Sequence, residues 1–156
     1  MPRLLLVLLG TFAALTAPTL TASAEAAGDP AEVEAVRTAV VDYVEAFYQA
    51  DPERLKRSVE PRLTKIGWTR AKDGEDGAFR EHPRTFDQLL EGARRYNRTG
   101  WLPNDAPKEI TVYDVLDKVA SAKLVAHWGI DYLHLAKIDG RWMIIHVVWQ
   151  DLPPAE

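Results

Sequence analysis

The stretch Asp131-Tyr132-Leu133-His134-Leu135-Ala136-Lys137-Ile138-Asp139-Gly140-Arg141-Trp142-Met143-Ile144-Ile145-His146-Val147-Val148-Trp149-Gln150 decides the architecture. Asp139-Gly140 sits between two apolar, β-rich runs. Asp-Gly in that setting favours a two-residue primed turn, whose twist matches the strands it joins. The stretch therefore reads as a β-hairpin with Ile138 opposite Arg141 and Lys137 opposite Trp142. Counting outward with a period of two puts Tyr132, His134 and Ala136 on one face with Met143, Ile145, Val147 and Trp149. Asp131, Leu133, Leu135, Trp142, Ile144, His146 and Val148 take the other. Both faces are mainly apolar, so each needs a cover. The face carrying Tyr132, His134 and Trp149 is expected to pack on helices and line any cavity. The opposite face is expected to pair with a second copy in a homodimer.

Working towards the N-terminus, Ile110–Val115 is expected to pair with a segment beginning at Val119. That segment runs on to Ile138, long for a strand, and Gly129 predicts a bulge within it. Leu63–Thr69 reads as a strand with Ile66 and Trp68 on one face, and the polar run Lys72–Gly77 as the bend of a hairpin. Three helices complete the pattern. Asp29 caps the first with Pro30 at its first position, and Val33, Val36, Val40, Tyr43, Val44 and Phe47 recur at helical spacing through Ala50. Asp51-Pro52 ends it and starts a short second helix to Val59, closed by Pro61. Thr85 caps the third, whose stripe is Phe86, Leu89, Leu90 and Ala93 and which fades near Asn97. Gly100–Pro107 is irregular, and Pro153-Pro154 stops the last strand. This order is α+β: a largely antiparallel, curved sheet with three helices on one face, together enclosing a cone.

Residues 1–24 read as a secretory signal peptide. Arg3 supplies a positive start, and an apolar core of about 12 residues follows from Leu4 to Leu15. Ala22-Ser23-Ala24 offers the small residues a signal peptidase accommodates. The core is shorter than the ~20 residues a helix needs to span a bilayer, so a cut near Ala24-Glu25 is expected, leaving no membrane anchor and a periplasmic or secreted protein. Residues 25–30 form a flexible lead, and 31–152 are long enough for one domain with its own core. The chain has 19 basic residues, one of them lost with the leader, against 23 acidic ones. A mildly acidic chain with no basic cluster argues against a nucleic-acid partner. It has no cysteine, which excludes disulfides, thiol catalysis and cysteine-ligated metal centres.

The run Asp131 to Trp142, continued by Ile144, Val147 and Trp149, resembles the bacterial "putative lumazine-binding" family of the nuclear transport factor 2-like (SnoaL-like) superfamily. Ile110-Thr111-Val112-Tyr113-Asp114-Val115 and Val119-Ala120-Ser121-Ala122-Lys123 are similar to its preceding hairpin, as is Pro61-Arg62-Leu63-Thr64-Lys65 with Gly67-Trp68 to the segment after its second helix. The resemblance covers about residues 31–150. It implies a cone-shaped α+β barrel, often dimeric, with a pocket between helices and concave sheet. It supplies no catalytic motif to carry over.

His134 is the leading single candidate for chemistry, because imidazole titrates near neutral pH and can serve as acid or base. The plainer reading is a hydrogen-bonded structural histidine. Tyr132, His134, Trp149 and Trp68 are the expected ligand contacts, since aromatic rings stack on planar molecules. His127 and Asp131 could form an acid–base pair or half a metal site. His146, on the face opposite His134, gives no convergent zinc geometry, so no metal and no cofactor is expected. Tyr43 lies in the apolar stripe of the first helix and Asp42 on its wet side. Asn97-Arg98-Thr99 matches a glycan acceptor pattern. Three functional classes remain open: an exported domain binding a small apolar or planar ligand, a cofactor-free SnoaL-like enzyme using His134, and a dimerisation domain with a filled cone.

Overall fold

A computed structural model describes residues 28–71 and 78–152. The expected signal peptide, the first part of the lead, the bend Lys72–Gly77 and the stop at Pro153-Pro154 lie outside the described residues. Helix α1 (Pro30–Tyr48) begins where Asp29 accepts a hydrogen bond from the Ala31 amide at 2.8 Å, with Pro30 in the first turn. Asp51 caps α2 (Pro52–Ser58) in the same way. Helix α3 (Phe86–Arg95) opens with a reciprocal capping box: Thr85 Oγ1 accepts from the Gln88 amide and Gln88 Oε1 accepts from the Thr85 amide. Such caps satisfy amides that the first turn leaves without partners, worth about 1 kcal/mol each.

Six strands form one curved sheet in the order β2-β1-β6-β5-β4-β3. They are β1 (Val59–Arg70), β2 (Phe79–Glu81), β3 (Lys108–Val115), β4 (Val119–Ala126), β5 (Gly129–Ile138) and β6 (Arg141–Gln150). The three helices and this sheet make the expected α+β cone. The sheet is mixed, however: β1 runs parallel to β6 while every other pairing is antiparallel. Sequence order alone sees hairpins, and the return of the last strand to the first is a long-range event.

Two expectations about the strands are corrected. The run from Val119 to Ile138 is not one bulged strand but two, β4 and β5, joined by a tight turn at His127-Trp128 with Ala126 opposite Gly129. Gly129 closes the turn at φ +143°, and a Cβ there would stand 2.0 Å from the Gln150 carbonyl oxygen on β6. A left-handed backbone in that contact requires glycine. The turn itself carries no Asn-Gly or Asp-Gly signature, so the sequence hid it. The second correction concerns phase. The Asp139-Gly140 turn forms as expected, both residues at positive φ, with Ile138 opposite Arg141 and Lys137 opposite Trp142. The ladder then slips: Leu135 faces Ile144, but His134 faces His146, leaving Ile145 unpaired as a bulge. Beyond it the counted faces of β6 exchange, because one extra residue reverses a period-two pattern.

The helix-facing side therefore carries Asp131, Leu133 and Leu135 of β5 with Trp142, Ile144, Val147 and Trp149 of β6. Leu133, Leu135, Ile144 and Val147 are fully buried against Val36, Val40, Tyr43 and Val44 of α1. Each such side chain contributes about 1.5–3 kcal/mol of hydrophobic stabilisation. Tyr132 and His134 stand on the outer face instead, Tyr132 being 54% exposed. Trp68, paired with Gln150 and Glu81, shares that outer face. No helix among the described residues is long and apolar enough to cross a membrane.

The first turn of α1 is strapped to the β5–β6 hairpin. Glu32 accepts hydrogen bonds from Lys137 Nζ at 2.5 Å and from Trp142 Nε1 at 2.7 Å. These bonds hold its carboxyl below the usual glutamate range. A carboxylate with a lowered folded value adds stability above its unfolded value, near 4.5 here, and loses it as pH falls through the folded value. Glu32→Gln is expected to melt below the wild-type chain at pH 7, the gap closing as the pH drops below 4.5. Equal melting temperatures at pH 7 would count against the strap.

Candidate functional site

Three charged or polar groups meet where apolar side chains surround them. Lys65 occupies an inward position of β1, between Leu63 and Gly67, and is 8% exposed. Its Nζ donates to Tyr43 Oη of α1 at 2.5 Å and lies 3.5 Å from both carboxylate oxygens of Asp131 on β5. Trp128 Nε1 donates to Asp131 Oδ2 at 3.2 Å. Asp131 and Tyr43 are wholly buried. The ammonium also lies 5.2 Å from the Tyr43 ring centre and 5.5 Å from that of Trp149, within reach of cation–π attraction.

Burial pushes the Lys65 ammonium below the ordinary lysine range; Asp131 pulls the other way and Arg84 adds to the lowering. Burial and the Asp131 charge together push the Tyr43 hydroxyl well above its ordinary value. Tyr43 thus keeps its proton, while Lys65 is poised closer to losing one than an exposed lysine.

Trp149 completes the inner wall. Its indole lies flat on Gly67 of the neighbouring strand, where a Cβ would come within 2.0 Å of Nε1. Only a residue without a side chain admits the ring there. His82 stacks on Trp149 with centroids 6.1 Å apart and accepts or donates a 2.8 Å hydrogen bond with Thr69.

Between Pro61–Ile66 of β1 and Pro83–Gln88 at the start of α3 runs a groove of about 670 Å³, which Lys65 lines. Its rim carries Arg62 and Arg84, and Phe86 supplies an apolar wall. Two cations and the positive end of α3 favour a negatively polarised occupant.

A profile of the family described as "Putative lumazine-binding" matches residues 31–150. The chain belongs to this family. Among solved structures it is similar to an NTF2-like protein of unknown function from Methylobacillus flagellatus KT, with a TM-score of 0.60 and 17% identity over 81% of this chain and 96% of that one. An NTF2-like protein of unknown function from Shewanella baltica OS155 aligns with a TM-score of 0.57 and 16% identity, over 79% and 95%. A ketosteroid isomerase-like protein from Erwinia carotovora atroseptica SCRI1043 aligns with a TM-score of 0.54 and 15% identity, over 81% and 100%. At these identities the likeness establishes the fold. No curated protein matches the chain.

Of the expected contacts in this lumazine-binding family chain, Trp149 alone stands on the helix-facing side. His134 and His146, expected on opposite faces, are cross-strand partners with ring centres 5.7 Å apart, and His146 Nδ1 bonds Thr64 at 3.0 Å. His134 lines an outer-face depression of about 380 Å³ with Asp114 and Ser121. His127 sits in the β4–β5 turn beside Tyr96, 3.3 Å from its hydroxyl, while Asp131 turns inward to Lys65, so the two do not pair. Asp42 is engaged by Arg54 and Arg57. Asn97 is committed locally: its Nδ2 donates to the Tyr48 carbonyl and its Oδ1 accepts from the Leu102 amide. Among the described residues, no three His, Asp or Glu side chains gather as a metal site.

Lys65 was missed by sequence reasoning, although a signal existed. It falls in the same alternating phase as Leu63 and Gly67, and Asp131 in the phase of Leu133 and Leu135. Opposite charges on two apolar stripes must find each other. Removing one partner strands the other: Lys65→Met or Asp131→Leu alone is expected to cost about 3–5 kcal/mol, and the double variant less than the sum. Urea denaturation of the three variants measures it, and additive losses would show that the pair does not interact.

Proposed function

We propose that the mature chain is an exported binding protein that holds a small, planar, negatively polarised molecule in the groove between β1 and the start of α3. The observation that carries this reading is the groove of about 670 Å³ lined by the buried Lys65 and rimmed by Arg62 and Arg84. That volume falls in the range of small-molecule sites, and a few placed cations on an apolar wall are how such sites orient a ligand. Phe86 offers a face for stacking, with Trp149 behind Lys65. The family description points to pterin-like compounds, which are planar and carry acidic ring N–H groups, so lumazine and flavins are the first probes. What supports export is the sequence of residues 1–24: a positive start at Arg3, a short apolar core and the small residues Ala22-Ser23-Ala24. A second copy on the outer sheet face is supported by Tyr132 and Val119, each more than half exposed there.

The His134 enzyme reading has less support. Its imidazole lies outside the cone, and its ring neighbour there is His146, with centres 5.7 Å apart.

Native mass spectrometry of the protein taken from periplasm or culture medium tests these points together. The expected result is a chain starting at Glu25, a dimer mass, and a retained small molecule released on unfolding. Lumazine or a flavin at about 100 times its dissociation constant is expected to add about 2.7 kcal/mol of stability. A full-length chain confined to the cytoplasm overturns the export reading, and a monomer mass overturns the dimer. No retained molecule and no thermal shift with any planar anion overturns the binding reading.

A further inference from the structure

We infer that Lys65 is a nucleophilic amine that captures carbonyl compounds as an imine, with Tyr43 and Asp131 handling the protons. The inference deepens the groove reading and rests on it: the ligand class becomes a small aldehyde or ketone with an apolar or planar body.

The geometry brings together what imine formation needs. The reaction requires an amine lone pair, a group to take the first proton, a donor to the departing oxygen, and a dry setting that favours loss of water. Lys65 is among the residues that line the groove of about 670 Å³, and its side chain keeps 7% exposure. Its Nζ makes one close bond, to Tyr43 Oη at 2.5 Å. The Asp131 oxygens are both at 3.5 Å, beyond the 2.7–2.9 Å of a tight charge-assisted bond. An ammonium with three donors is thus held by one firm and two loose contacts. Among the described residues, the charged or titratable groups that act on it are Tyr43 from α1, Arg84 from the segment before α3 and Asp131 from β5. Trp149 and Trp128 close the site with uncharged rings. The Arg84 cation and the burial both favour the free amine, while Asp131 is placed to receive its proton.

The step balances without a further reactant. The ammonium passes one proton to Asp131, and the freed nitrogen pair forms a bond to the carbonyl carbon. The carbonyl oxygen takes up two of the three protons first held on nitrogen, through Asp131 and Tyr43, and leaves as water as the C=N bond forms. The third proton stays on the iminium, whose positive charge replaces that of the ammonium beside Asp131. The buried charge pair is preserved, so the product meets the same electrostatic setting as the free lysine.

Benzaldehyde with sodium cyanoborohydride, at pH 7 on the whole folded protein, tests this by peptide mapping. A lowered pKa raises the free-amine fraction at pH 7, so Lys65 is expected to carry most of the reduced benzyl adduct, ahead of exposed Lys56 and Lys118. Tyr43→Phe is expected to slow that labelling about tenfold or more. Benzyl alcohol has the same body and cannot form an imine. Adducts on Lys56 and Lys118 with Lys65 unmodified until unfolding would overturn the inference. If benzyl alcohol still raises the melting temperature in that case, the groove reading stands and the imine alone fails. If neither compound binds, the imine fails, and the groove reading is decided separately by the thermal shift with planar anions.

Discussion

The Lys65–Asp131 contact is the constraint around which the domain is arranged. Charges removed from water cost several kcal/mol each unless they meet, and these two come from strands that are not neighbours. β6 lies between β1 and β5, and the ion pair crosses over it on the inner face, with Gly67, Trp149 and Asp131 in one row of the ladder and Lys65, Val147 and Leu133 in the next. Tyr43 reaches down from α1 to the same nitrogen. One polar junction thus joins three strands and the main helix. It also selects register: a one-residue slip of β1 or β5 would turn one charge out to solvent and leave the other alone in apolar surroundings.

The apolar packing around that junction is asymmetric. Towards the β5–β6 turn, Leu135, Ile144 and the valines of α1 form a dry aliphatic core. Towards the β4–β5 turn the filling is aromatic: Trp128 meets Tyr43, Phe47, Tyr48 and Tyr96 edge to face, and Tyr48 Oη donates to the Pro107 carbonyl while accepting from the His127 amide. Rings with one polar tip suit an end of a cone where backbone groups need partners. Burial pushes the Tyr96 hydroxyl up to about 12, so it stays neutral and serves as a fixed dipole. Two tryptophans meet the charged junction, Trp128 by its hydrogen bond to Asp131 and Trp149 by its ring beside the Lys65 ammonium.

Much of this was legible in the sequence because it is local. Asp29-Pro30, Asp51-Pro52 and Thr85 mark helix starts by chemistry within one turn, and Asp139-Gly140 marks a hairpin by the sign of φ. The apolar stripe of α1 follows from a period of 3.6. What escaped is set at a distance. The parallel pairing of β1 with β6 depends on strands some eighty positions apart. The turn at His127-Trp128 lacks turn residues and is imposed by the backbone contact of Gly129 with Gln150. The inner face of β5 could not be chosen by hydrophobicity alone, since Tyr132, His134 and Ala136 looked as apolar as their neighbours. The site inherited that error: Tyr132 and His134 went outward, and Lys65, which looks like a solvated residue in a strand, went in.

The bulge at Ile145 gives β6 two reading frames. From Arg141 to Ile144 the strand is written in the frame of its turn, and from His146 to Gln150 in the frame of the charged junction. The unpaired residue is the punctuation between them. Its side chain matters less than its being left out of the ladder. A chain that paired that residue with His134 could keep the same turn and the same composition, yet it would present Trp149 to water and His146 to the lysine.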